Sequence, residues 1–179
     1  MVEDKHIKKH SFSFVFYELD FQLEKNSIID FLKKTNFTKT QQLSTFIDNN
    51  QIIEEQELYQ FKKNLFSFIS DFTINVLKKE KFLFLASWFQ AYRQGDFHDC
   101  HTHGNTSNQY SLILYIQASE LSSPTIFYPP GHPYVHEFGE IKIQPVKNKM
   151  LIFPSCIPHT AYPNKDDQRI IFSANFEVE

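Results

Sequence analysis

Cysteine is scarce in this chain. Cys100 and Cys156 are the only two in 179 residues, which is too few for a disulfide framework. Glycine is scarce too, with four in all. A chain built only of strands and tight turns needs more, so part of it should be helical. Basic charge is not in excess: 18 Lys and Arg against 21 Asp and Glu give a formal net charge of −3, with no basic surface to call for nucleic acid. No window reaches the roughly 18 apolar residues of a membrane-spanning helix. Residues 1–10 are charged and lack the apolar centre of a secretory signal. Together these absences point to a soluble, reducing, cytoplasmic setting without a membrane partner.

Aromatic residues are abundant. Twenty Phe and a hydrophobic content of 41% exclude disorder and favour β structure around an aromatic core. The length suits one domain, residues 1–179. Phe12, Phe14 and Phe16 alternate with Ser13 and Val15, which predicts a strand over 11–21. A short helix is expected over 26–34, capped by Asn26 or Ser27. Residues 37–50 are polar and irregular. A longer helix is expected over 54–79, where Leu58, Phe61, Leu65, Phe68, Phe72 and Val76 recur at steps of three and four. Such a stripe is the mark of a helix laid against a sheet.

Beyond Lys81 the pattern changes to short apolar runs at 82–92, 109–117, 125–128, 140–144, 149–153 and 169–178. Prolines separate several of them, at 129–130, 145, 154 and 163. Many short strands in succession predict a sandwich or jelly roll. The expected architecture is α+β: an N-terminal strand and supporting helices over 1–81, then a double-sheet barrel over 82–179.

The chemistry concentrates in Gly95-Asp96-Phe97-His98-Asp99-Cys100-His101-Thr102-His103-Gly104. In an extended strand, residues two apart face the same side, so His101 and His103 are suited to grip one cation. Imidazole suits iron, zinc, copper or nickel. A third ligand must come from elsewhere. His132 and His136 lie in a Pro/Gly-rich loop, where solvated histidines are the default. His159 follows a buried strand and a proline-bounded turn at Pro154 to Pro158, a place from which it can reach a barrel mouth. Arg169 opens an apolar strand, and a guanidinium entering a sheet interior needs an anionic partner, best a carboxylate held bidentately.

In this ordered set the chain resembles the iron(II)/2-oxoglutarate-dependent dioxygenases, in particular a prolyl-hydroxylase-like branch of oxygenases found in phage and marine microbial genomes. The matching pieces are Gln90-Ala91-Tyr92-Arg93-Gln94-Gly95-Asp96-Phe97, His101-Thr102-His103, Leu114-Tyr115-Ile116, Leu151-Ile152-Phe153-Pro154-Ser155 leading to His159, and Arg169 through Asn175. They cover residues 82–179. The resemblance implies a double-stranded β-helix of jelly-roll, cupin-like form. It also implies Fe(II) held by His101, His103 and His159, with 2-oxoglutarate held by Arg169, Tyr115 and Tyr92. His103 stands where that family usually has a carboxylate, and Asp99 is the alternative donor. Ile171 stands where a hydroxyl usually accompanies the arginine. Asn175 matches a family asparagine.

The activity implied is hydroxylation of a C–H bond of a peptidyl or small-molecule substrate, with dioxygen and 2-oxoglutarate consumed. The loop over 119–138 is the expected lid or substrate surface. Two other functions remain open at this point: a three-histidine, cupin-like metal protein that uses no 2-oxoglutarate, and a non-catalytic barrel used for interaction.

Overall fold

The computed structural model describes residues 7–11, 14–23, 28, 32, 44–45, 56–130 and 139–179. Within them the chain runs β1 (Ile7–Ser11), β2 (Val15–Asp20), β3 (Ser44–Thr45), α1 (Gln56–Asn75), β4 (Phe82–Tyr92), β5 (His98–His101), β6 (Gln109–Gln117), β7 (Thr125–Phe127), β8 (Ile141–Ile143), β9 (Lys149–Pro154), β10 (His159–Ala161) and β11 (Arg169–Val178). The strands form two antiparallel sheets. The larger has the order β1-β2-β9-β6-β11-β4-β3 and the smaller the order β5-β10-β7-β8. From β4 onward the chain passes back and forth between the sheets: β4, β6, β9 and β11 belong to the large one and β5, β7, β8 and β10 to the small one, as in a jelly roll.

The strands at the centre of the large sheet are buried on both faces, which is why they read as unbroken apolar runs. In β6, Leu112, Leu114 and Ile116 face the core that carries α1, while Ile113 and Tyr115 face the space between the sheets. In β11, Ile170, Phe172, Ala174, Phe176 and Val178 join the first group, and Arg169, Ile171, Ser173 and Asn175 line the interior. A bulge leaves Leu85 unpaired, because Asn175 faces Ala86 while Phe176 faces Phe84. The extra residue switches the alternation in β4, so Phe84 and Phe89 both reach the helix side.

Helix α1 covers that side with Leu58, Phe61, Leu65, Ile69 and Phe72, at steps of three and four. Phe61 meets Phe172 edge-on at 5.1 Å, and Phe72 meets Tyr17 edge-on at 5.2 Å. Burying five such side chains stabilises the fold by roughly 1.5–3 kcal/mol each. The helix is shorter than the 54–79 expected from its stripe. Phe68 and Val76 lie at its margin, partly buried.

Two expectations need correction. The N-terminal strand expected ahead of the helices is not a separate support: β1 and β2 belong to the large sheet, where β2 pairs with β9. The strand expected over 11–21 is two strands, since the chain turns back between Ser11 and Val15. The helix expected over 26–34 lies largely outside the described residues, where Ile28 and Leu32 are buried in the core. Most of the irregular stretch at 37–50 also lies outside them.

Replacing Phe72, 0% exposed, by alanine is expected to destabilise the fold by about 3–5 kcal/mol in urea denaturation. Replacing Phe66, 55% exposed, is expected to destabilise it by about 1 kcal/mol or less. Equal losses would contradict this placement of the helix.

Candidate metal and acid-binding site

Strand pairing brings the histidines together. His101 on β5 lies opposite His159 on β10 in the antiparallel ladder, and their ring centroids are 4.3 Å apart. His103 sits just past the end of β5 rather than on it. Its backbone N–H, at 2.9 Å, and that of Gly104 both donate to the Ser155 carbonyl. This close approach needs glycine at 104, where a Cβ would fall on Gln109 Oε1 and Ser155 Cβ. The His103 ring is therefore turned 87° from that of His101.

One ligand atom from each of His101, His103 and His159 falls within 4.8 Å of the others. His101 Nδ1 donates to the Asp99 carbonyl at 2.6 Å, and His159 Nδ1 donates to the Ile157 carbonyl at 3.0 Å. Each bond fixes the tautomer and leaves Nε2 with its lone pair toward the cavity. His101 Nε2 and His103 Nε2 are 3.1 Å apart. Two facing lone pairs repel, so a proton or a cation belongs between them. Nitrogens at right angles around a cation with ~2.1 Å bonds sit about 3 Å apart.

Burial favours the neutral form of the His98, His103 and His159 rings. The His103 imidazole is pushed down to about 4 by burial and by the neighbouring His101 and His98, and His98 is likewise pushed down to about 4. His159, 4% exposed, is held well below its ordinary range by burial and by His101. Phe153 packs edge-on against the His159 ring at 4.8 Å, and Trp88 lies 5.4 Å from that of His103. Asp99 gives His101 its backbone carbonyl; its side chain is exposed and does not line the cavity, though its charge acts on His98.

The same cavity is closed at another end by Arg169. Arg169 lies opposite Tyr92 in the β11–β4 ladder, and its guanidinium stacks 4.2 Å above the Tyr92 ring. Nη2 donates to Thr125 Oγ1 at 3.1 Å, and that hydroxyl shares a 2.7 Å hydrogen bond with Tyr115 OH. Burial pushes Tyr115 up to about 12 and raises Tyr92 against the pull of Arg169, so both remain neutral. Arg169 is 1% exposed, yet among the described residues Nε and Nη1 have no hydrogen-bond partner.

A clasp of backbone bonds fixes the entry to Arg169. Gly95 N–H, at a φ of 87°, donates to the Asn164 carbonyl at 2.7 Å, and Asn164 N–H donates to the Asp96 carbonyl at 2.8 Å. The buried Asn164 side chain accepts from Ser123 N–H at 2.7 Å and donates to the Asp166 carbonyl at 2.6 Å. The residues 119–123 of the expected lid are tied down here, because Ser119 and Ser122 donate to the Asp166 carboxylate. Residues 131–138 of that loop lie outside the described residues.

All six expected site residues thus line or border one cavity. Thr125 was missed: it supplies from the small sheet the hydroxyl that Ile171 lacks. Its only sequence signal is its position at the head of a short strand. Asn175 is held by Ser111, whose hydroxyl donates to Oδ1 at 2.8 Å.

No family model matches the chain, and no curated protein matches it in sequence. Solved structures do match it. A prolyl-4-hydroxylase of Pseudomonas putida is 15% identical at a TM-score of 0.62, over 92% of each chain. The viral collagen prolyl hydroxylase of Paramecium bursaria Chlorella virus-1, in complex with 2-oxoglutarate, is 16% identical at 0.59, over 92% of this chain and 96% of that one. An oxidoreductase of the 2OG-Fe(II) oxygenase family from Burkholderia pseudomallei is 8% identical at 0.51, over 96% of this chain and 71% of that one. At these identities the likeness is one of fold, and it is the jelly-roll fold of those oxygenases.

Trp88 is the single tryptophan, so its fluorescence reports on the cavity. Ni(II) or Co(II) is expected to quench it, and His101→Ala should weaken that binding by more than the roughly 10- to 100-fold that follows loss of an outer partner. Undiminished quenching in the variant would contradict the site. The depressed His98 and His103 also set a pH dependence. Below the ordinary 6.5 the unfolded chain takes up protons that the fold refuses until about 4. The metal-free protein should therefore lose stability as pH falls through that window. A thermal midpoint flat between pH 7 and 4.5 would contradict it.

Proposed function

We propose that this chain is an iron(II)- and 2-oxoglutarate-dependent oxygenase that hydroxylates a C–H bond of a peptidyl or small-molecule substrate. The observation that carries the reading is Arg169. A guanidinium sealed inside a protein with two free N–H groups costs several kcal/mol unless an anion joins it. The three imidazoles that share its cavity fit a first-row transition metal. A ligand bridging the two features needs a carboxylate at one end and oxygen donors at the other, and 2-oxoglutarate has this form.

In this reading His101, His103 and His159 hold the metal through nitrogen. Arg169 takes the distal carboxylate through Nε and Nη1, and Thr125 and Tyr115 set the guanidinium's plane. Tyr92 supports it from below and, by its bulk, excludes water. When bound, Fe(II) with 2-oxoglutarate supplies the oxidising power, decarboxylating the keto acid as dioxygen is consumed. Trp88, Ser111, Ser173 and Asn175 line the remaining wall, toward which the substrate is presented. A three-histidine metal protein without 2-oxoglutarate accounts for the imidazoles but leaves the two N–H groups of Arg169 unanswered.

The test is succinate release from 2-oxoglutarate by protein loaded anaerobically with Fe(II) and then given oxygen. Release should depend on iron and on oxygen and fall at least about tenfold in His159→Ala. No release above the variant's background, in protein whose Trp88 quenching shows a filled site, would refute the proposal.

A further inference from the structure

Among the described residues, no aspartate or glutamate lines the cavity. Its ionisable wall consists of His98, His101, His103, His159, Arg169 and the two tyrosines Tyr92 and Tyr115, of which Tyr115 is a residue of the same inner core. Neutral imidazoles add no charge, so a divalent cation held by three of them keeps both of its own. Arg169 contributes one more positive charge and does not lose it. 2-Oxoglutarate brings two negative charges. One positive charge is then left unbalanced in a half-buried space, where a carboxylate at 103 would have cancelled it. Uncompensated charge in such a place is expensive.

Hydrogen-bonding groups for a further anion face the same space. His98 lines the cavity with its ring stacked on His101, centroids 4.0 Å apart and planes within 19°. It is held there by the β5–β10 ladder, where it lies opposite Ala161, and by Thr160 Oγ1 donating to its carbonyl. Gln90 and Ser173, 4% and 6% exposed, point their polar groups into the cavity from the large sheet. Neither forms a side-chain hydrogen bond among the described residues.

Resting on the oxygenase reading, we infer that the primary substrate of this site is itself an acid, whose carboxylate occupies the cavity together with 2-oxoglutarate and balances its charge. His98, Gln90 and Ser173 are the donors that receive it. His103, by being neutral where a carboxylate would be negative, is what selects for it.

The probes are acetate and acetamide, equal in shape and different in charge. They are titrated calorimetrically into protein loaded with Ni(II) and saturated with 2-oxoglutarate, so that Arg169 is already engaged. Acetate is expected to bind at least about tenfold tighter than acetamide, since one unit charge acting over several ångströms inside a protein changes affinity by that order. His103→Asp should bring the two to within about threefold while Ni(II) still binds. His98→Phe, which keeps the ring stacked on His101, should weaken acetate by about tenfold and leave Ni(II) affinity unchanged. Equal binding of acetate and acetamide, or an acetate preference that survives His103→Asp, would overturn the inference. Chloride binding as tightly as acetate would assign the charge to a solute ion and overturn it too. Failure of Ni(II) or of 2-oxoglutarate to bind would be a different result: it would remove the oxygenase reading, and this inference with it.

Discussion

A guanidinium lies buried between two sheets with two of its three nitrogens unpartnered among the described residues, and the rest of the site is arranged around that fact. Arg169 can sit there because Tyr92 and Thr125 each take part of it: one through its ring face, the other through a hydroxyl. Neither carries a negative charge. Among the described residues the electrostatic demand is therefore met only in part. Buried cations of this kind persist where a ligand completes them.

The two sheets divide the work. The small sheet contributes the imidazoles, with His101 and His159 as a cross-strand pair and His103 fastened beside them by Ser155. The large sheet contributes Arg169, at the end of its most buried strand. The cavity exists because the sheets face each other across these groups, while Phe127, Phe153 and Leu151 fill the space alongside. Rigidity of the large sheet, backed by α1, fixes the distance between the metal position and the guanidinium. That distance decides which acid fits. His103 puts a third imidazole, with no negative charge of its own, beside His101 and His159.

Much of this was legible in the residues. β6 and β11 are largely buried on both faces, and β4 over its second half, so their apolar runs marked these strands. That His159 reaches the His101 and His103 rings was legible from the strand and prolines before it, and the burial of Arg169 from its charge at the head of an apolar strand. Other parts were hidden for physical reasons. β10 is three residues long between Pro158 and Pro163, too short to show a period. β1 is a charged edge strand, Ile-Lys-Lys-His-Ser, whose pairing with β2 leaves no apolar alternation to read. His103 looked like a strand neighbour of His101, yet its placement depends on a backbone bond to a residue far along the chain. Thr125 acts through a contact across the sheets, which no local pattern reports.

The account stands on an unfilled guanidinium that waits for the far carboxylate of a keto acid. The most direct measurement is calorimetry of the metal-loaded protein with 2-oxoglutarate and with 2-oxopentanoate, which lacks that carboxylate. The account predicts that 2-oxoglutarate binds at least about 100-fold more tightly, the effect of two charge-assisted hydrogen bonds, and that Arg169→Met removes the difference. Equal affinity of the two acids for the unaltered protein would contradict it.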